Sequence, residues 1–255
     1  MTVFATAPGV GRFAGKTVVV LGGNSGIGLA AAKAFREEGA RVAITGRNAE
    51  TLSTVAAATG ILAVRADMGS VQAHREALDS LAKELRGIDV LFVNAGVGGF
   101  APIPDVTQDF WDSVHSVNLR GAFFAIQAAL PHLHDGGSIV ITGSIGAVLA
   151  VPGNVVYASA KAGLRAVARI LATELLPRRI RVNMVSPGPT DTEIFKRGAA
   201  VEEIEQMRTL LSGVVPMKRM GTPDEIARAV LFLASSEASF INGVDLCVDG
   251  GCVEL

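Results

Sequence analysis

A doubly wound α/β domain, with a seven-stranded parallel sheet and helices on both faces, is the fold this 255-residue sequence predicts. Three observations predict it. Short β-branched apolar runs alternate with helix-period segments from Lys16 to the end, and the connections are short, the signature of repeated β-α-β units. The first run, Thr17–Leu21 (TVVVL), is apolar throughout instead of alternating, as strands covered on both faces are. Glycine is abundant (29 residues) while tyrosine and tryptophan occur once each, which suits tight strand–helix turns.

The elements follow in order. After Thr17–Leu21, the Ala-rich stretch Gly28–Glu38 reads as a helix ended by Gly39. Arg41–Thr45 is the second strand and Ala49–Ala58 a short helix; Ile61–Arg65 is the third strand and Val71–Leu85 a helix charged on one side. Asp89–Val93 is the fourth strand. One long helix is expected from Thr107, a plausible N-cap, to Leu133. Ser138–Thr142 is the fifth strand, Val155–Leu176 the next helix and Ile180–Val185 the sixth strand. A long excursion over 187–222 holds a helix at Val201–Leu211. Pro223 opens a helix to Ala234, as proline does in a first turn, and Val244–Val248 is the seventh strand. No linker or fixed-period repeat appears, so residues 15–255 are expected to form a single domain, with 1–14 as a flexible lead-in.

Composition excludes several functions. Net charge is −1 with no basic patch, which argues against nucleic acid. The longest uncharged run, Gly136 to Ala160, is broken by Gly, Pro, Ser and Asn, unlike a membrane span. Two cysteines, Cys247 and Cys252, make no disulfide framework, and the N-terminus lacks the charged and apolar regions of a secretory signal. A cytoplasmic location is expected. His132 and His134 have only Asp135 as an obvious further metal ligand, so no metal site is expected.

Two stretches carry chemistry. Leu21–Gly28 (LGGNSGIG) follows a strand and opens a helix. Gly22, Gly26 and Gly28, with Asn24, Ser25 and Ile27 between them, would let the backbone approach a pyrophosphate at the helix N-terminus; a purely structural turn is the alternative. No carboxylate ends the second strand, where one would bind a ribose 2′-hydroxyl. Arg47 stands there instead, suited to a 2′-phosphate or simply solvated, so NADP(H) is favoured and NAD(H) possible. Asp67 could accept from an adenine amino group with Met68 against the ring, or cap the next helix. Asn94, Ala95 and Gly96 at a strand C-terminus lie where a ligand sits in such sheets, or form an ordinary turn. The second stretch, Ser144–Lys161 (SIGAVLAVPGNVVYASAK), places Tyr157 and Lys161 one helical turn apart, with Ser144 before them. A nearby ammonium is expected to lower the phenol pKa. The alternative is a buried tyrosine beside a solvated lysine.

With these pieces in order, the chain resembles the short-chain dehydrogenase/reductases over Lys16–Gly251. The glycine turn, Asn94-Ala95-Gly96, the Ser144–Tyr157–Lys161 set and Pro187-Gly188 occur in that family's order and spacing. The resemblance implies a Rossmann-like sheet of order 3-2-1-4-5-6-7 and NAD(P)-linked hydride transfer between a ketone and a secondary alcohol. It implies catalytic roles for Asn118, Ser144, Tyr157 and Lys161, with Tyr157 as general acid and Tyr157 and Lys161 also binding cofactor. Pro187, Gly188, Thr190 and Thr192 match the segment that holds the nicotinamide carboxamide and a phosphate. It also implies a homotetramer or homodimer, with Phe110 and Trp111 near a subunit contact. Ile194, Phe195 and Met207 are expected to cover a small carbonyl or alcohol substrate, against an apolar wall at 146–153. Two departures stand out: Leu21 replaces a threonine and Val93 an asparagine, so the two are expected to pack together where the family hydrogen-bonds. An NAD-linked dehydrogenase and a non-catalytic dinucleotide sensor are the other readings.

Overall fold

The structure, a computed structural model, describes residues 11–192 and 201–255. Seven parallel strands, β1 (Thr17–Leu21), β2 (Arg41–Gly46), β3 (Leu62–Arg65), β4 (Ile88–Val93), β5 (Leu133–Thr142), β6 (Arg181–Pro187) and β7 (Asp245–Val248), lie in the order β3-β2-β1-β4-β5-β6-β7. The chain steps outward from β1 to β3, then returns to add β4 on the other side of β1. That reversal opens a crevice at the strand C-termini, where open α/β sheets bind ligands.

Both faces of the sheet are covered. Alternate strand residues point to opposite sides. Val19, Leu21, Leu91, Val93, Ile139, Ile141 and Val182 form one core with α3 (Val71–Leu85), α5 (Ala122–Ala129) and α6 (Val155–Glu174). Val18, Val20, Val42, Ile44, Phe92 and Val140 form the other, with α1 (Gly26–Glu37), α2 (Ala49–Thr59) and α8 (Pro223–Ala234). Leu21 and Val93 are register partners on adjacent strands, both in the first core, so the expected packed pair is in place. Helix starts are tied down locally: Asn48 caps α2, Ser70 caps α3, and Thr222 with Glu225 forms a capping box on α8.

Three expectations need correction. The long helix expected over 107–133 is divided. It comprises α4 (Gln108–His115), a wider π-type turn at Ser116–Gly121, and α5, which ends at Ala129. Pro131 cannot continue the α-helical ladder; it sits in a 3-10 turn, Leu130–His132, and the chain enters β5 at Leu133, five residues before the expected start. Second, the lead-in, where described, is docked. Phe13 is 2% exposed and packs edge-on against Phe35, with ring centroids 4.8 Å apart. Arg12 pairs with Glu38 and Glu237. Replacing Phe13 with alanine is expected to lower stability by about 3 kcal/mol or more, read from urea unfolding; a flexible lead-in would give no change. Third, Met68 is directed into the core with Leu78 and Ala122, not toward a ligand cleft. Gly121 in the π-type turn comes so close that a Cβ there would lie 2.0 Å from the Met68 carbonyl oxygen.

Ile194 and Phe195 lie outside the described residues. In α7 (Val201–Val214), Met207 is 45% exposed. No helix among the described residues is long and apolar enough to cross a membrane.

Candidate active site

The glycine turn is built for close backbone approach. Gly22 has φ +82°, and a Cβ on it would lie 2.8 Å from Ala95. A Cβ on Gly28 would lie 2.0 Å from the Gly22 carbonyl oxygen. Ser25 precedes α1 without capping it, and no acidic residue occupies the first turn, so that helix end is open to an anion. Thr192 lies against Gly26: a Cβ there would be 3.5 Å from the Thr192 methyl. Asn24 donates to Thr51 at 2.7 Å and leans over Gly46, at the end of β2. Arg47 is exposed beside it, while its carbonyl accepts from Arg65 at 3.1 Å. The chemistry of these residues fits a dinucleotide phosphate. Asp67 accepts from the Gly69 N–H at 2.9 Å and so shapes its own turn, while Ser70 caps α3.

A hydrogen-bonded chain links this turn to the second stretch. Asn94 donates to the Gly22 carbonyl at 3.0 Å and accepts from the Thr142 hydroxyl at 3.1 Å. The Thr142 carbonyl accepts from Lys161 Nζ at 2.7 Å. Asn118, fully buried in the π-type turn, both donates to and accepts from the Val97 backbone, at 2.7 and 2.8 Å. A Cβ on Gly96 would lie 3.2 Å from Asn118 Oδ1 and 3.7 Å from Lys161 Nζ, so both groups flank one point. Wider turns of this kind recur at functional sites, and a hydrophobic pattern alone does not reveal them.

Ser144, at the end of β5, and Tyr157, in the first turn of α6, also converge. A Cβ on Gly146 would lie 3.2 Å from Ser144 Oγ and 3.6 Å from Tyr157 Cε1. Lys161 Nζ lies 5.9 Å from the centre of the Tyr157 ring. The expected electrostatics are corrected here. Burial raises the Tyr157 phenol pKa, and a hydrogen bond with Ser144 opposes this only in part. Burial lowers the Lys161 ammonium to about 8. The lysine is directed to the Thr142 carbonyl, and desolvation exceeds any stabilisation of a phenolate.

Pro187 ends β6. Gly188 donates to the Val248 carbonyl at 3.0 Å and accepts from the Thr190 hydroxyl at 2.9 Å. Val148 and Val151 are exposed on the 146–153 wall. Trp111 is 41% exposed and stacks on His115 at 4.1 Å. His132 pairs with Asp79 and His134 with Asp89, and among the described residues no three potential metal ligands converge. Sequence reasoning missed Thr142, whose position at a strand C-terminus was its only signal.

A family model described as Enoyl-(Acyl carrier protein) reductase matches residues 22–253. An oxidoreductase of Sarocladium schorii is 41% identical over 249 residues, covering 96% of this chain and 98% of that protein. D-threitol dehydrogenase of Mycolicibacterium smegmatis is 38% identical, covering 94% of each chain. A crystal structure of a short chain dehydrogenase from Burkholderia cenocepacia in complex with NADP aligns with TM-score 0.85 and 38% identity, covering 94% of this chain and 99% of that one. With the sheet order, glycine turn and Ser–Tyr–Lys convergence already in hand, these matches settle the family: the chain belongs to the short-chain dehydrogenase/reductases, NAD(P)-dependent oxidoreductases.

Proposed function

We propose that the protein catalyses reversible, NADP-linked reduction of a ketone to a secondary alcohol. The observation that carries this is the convergence of Ser144, Tyr157 and Lys161 at the C-terminal edge of the sheet, joined through Thr142 and Asn94 to the glycine turn. The dinucleotide, when bound, supplies the hydride. Ser144 orients the carbonyl and stabilises charge growing on its oxygen. Tyr157 gives its proton to that oxygen. A raised phenol pKa is compatible with this role, because an alkoxide is far more basic than a phenolate. Lys161, titrating near pH 8, passes on the replacement proton, with Asn118 beside it. Of the described part of the 187–222 excursion, the exposed apolar Met207 and Leu210 of α7 are the side chains we assign to covering the substrate.

The test is NADPH consumption over simple ketones, diketones and 3-oxoacyl thioesters. Absence of turnover with all three classes, together with tight NADP binding, would favour a sensor. Preference for NADP rests on Arg47. Arg47→Ala is expected to weaken NADP binding about 10- to 100-fold, the loss of one charge-assisted hydrogen bond, and to leave NAD binding unchanged. Equal losses for both dinucleotides in competitive titrations would instead favour the NAD-linked reading.

A further inference from the structure

Gly143 is a hinge between two fixed residues. On one side Thr142 is held by Asn94 through its hydroxyl, at 3.1 Å, and by Lys161 through its carbonyl, at 2.7 Å. On the other side Ser144 is fixed within its own turn, its Oγ accepting from the Gly146 N–H at 3.0 Å. The N–H of Gly143 donates to the Val185 carbonyl at 2.8 Å, which ties the hinge to β6. Glycine leaves a backbone the widest choice of angles. The angle at which Ser144 leaves the sheet is therefore set at this one residue.

Ser186 fills the space beside it. A Cβ on Gly143 would lie only 2.4 Å from Ser186 Oγ, so the hydroxyl oxygen is seated against the glycine backbone. Its orientation is not free. Ser186 is 1% exposed, and its hydroxyl donates to Asp245 Oδ1 at 2.5 Å, a charge-assisted bond. Asp245 Oδ2 in turn pairs with Arg165 Nε at 3.1 Å. With its single proton committed to a carboxylate and water excluded, the Ser186 oxygen stays against Gly143. The sheet does not need this network: β6 and β7 already pair from Met184 and Asp245 to Pro187 and Val248. Two apolar side chains would serve that pairing as well as a buried hydroxyl and carboxylate.

We infer that Ser186, oriented by Asp245 and Arg165, is a positioning residue: it blocks the Gly143 hinge so that Ser144 meets the substrate oxygen together with Tyr157. This rests on the ketone-reduction reading of the same site. Ser186 touches neither substrate nor cofactor in this role and acts only through Ser144. Misplacing a reacting group by about 1 Å costs about 100-fold in rate, so a glycine hinge next to the chemistry has reason to be held.

The test is a kinetic cycle on the fastest ketone of the panel above, with kcat taken per NADPH-binding site so that unfolded protein does not count. Ser186→Ala is expected to lower kcat about tenfold while NADPH still binds. In a Ser144→Ala background, where no hydroxyl remains to be aimed, the same substitution is expected to lower kcat by less than about twofold. Gly143→Ala is expected to lose about 100-fold, because its Cβ meets Ser186 Oγ. Adding Ser186→Ala to Gly143→Ala is expected to bring kcat back to the level of Ser186→Ala alone. The nearest Ser186 atom is then Cβ at 3.5 Å, an ordinary contact, and the Met184 methyl at 2.9 Å is the end of a flexible chain that can turn aside. Three results overturn the inference and leave ketone reduction standing: full kcat in Ser186→Ala, a loss of the same size with and without the Ser144 hydroxyl, or a double variant no faster than Gly143→Ala. A wild type that reduces no ketone overturns it together with the reading beneath it.

Discussion

Tyr157→Phe is expected to lower kcat for ketone reduction about 100- to 10,000-fold while NADPH still binds. The substitution removes one oxygen and keeps the ring. Tyr157 is half-buried, and the phenyl ring can occupy the same space on the first turn of α6. Among the described residues, what disappears is the group placed beside Ser144 that can hand a proton to a growing alkoxide. Ser144 would remain to orient the carbonyl, so some acceleration should persist. The glycine turn and Arg47 are remote from the lost hydroxyl and should hold the dinucleotide as before. Stopped-flow turnover with a fluorescence titration of NADPH separates the two. Reductase activity within a factor of two or three of wild type would remove Tyr157 from the chemistry.

Lys161→Met is expected to abolish turnover to a similar degree, and its stability should carry a pH signature. Lys161 is 3% exposed and its ammonium is lowered to about 8 from 10.5. The cause is burial, which disfavours the charged form. Below pH 8 the folded wild type therefore carries the full penalty of a buried cation. Between pH 8 and 10.5 the unfolded chain binds more protons at this site than the folded one, so this group makes stability rise with pH. Methionine has no such group. Wild type minus variant stability is thus expected to increase by at most about 3 kcal/mol from pH 7 to the top of that window, measured on cofactor-free protein. The hydrogen bond to the Thr142 carbonyl is stronger from the ammonium than from the neutral amine, so it works against this slope and makes about 3 kcal/mol an upper limit. A flat difference would mean that Lys161 titrates normally and is solvated, and its proton-passing role near neutrality would lose its support.

The two predictions share a cause: the same burial acts oppositely on the two groups. It keeps the phenol protonated, as an acid must be, and brings the amine toward neutrality, as a proton carrier requires. Spacing along α6 shows that Tyr157 and Lys161 share a face. It does not show how much water is removed from them, nor that a carbonyl at the end of β5 takes the ammonium. The expectation of an acidified phenol failed for that reason. The fate of Met68 is similar. Its place after β3 is legible, but only packing shows that its side chain belongs to the core under Gly121.

The sequence by itself determined the parallel sheet, the glycine turn, and the order of Ser144, Tyr157 and Lys161, while the strand order came from the family resemblance. The first three follow from local periodicity, from glycines where the backbone must come close, and from motif spacing, all readable along the chain. The tertiary structure alone decided the break of the long helix into a π-type turn around Asn118, the docking of Phe13, and the seating of the Ser186 hydroxyl against Gly143. Each of those depends on which distant residues fill the space around a group, and burial and long-range contacts arise only once the chain has closed on itself.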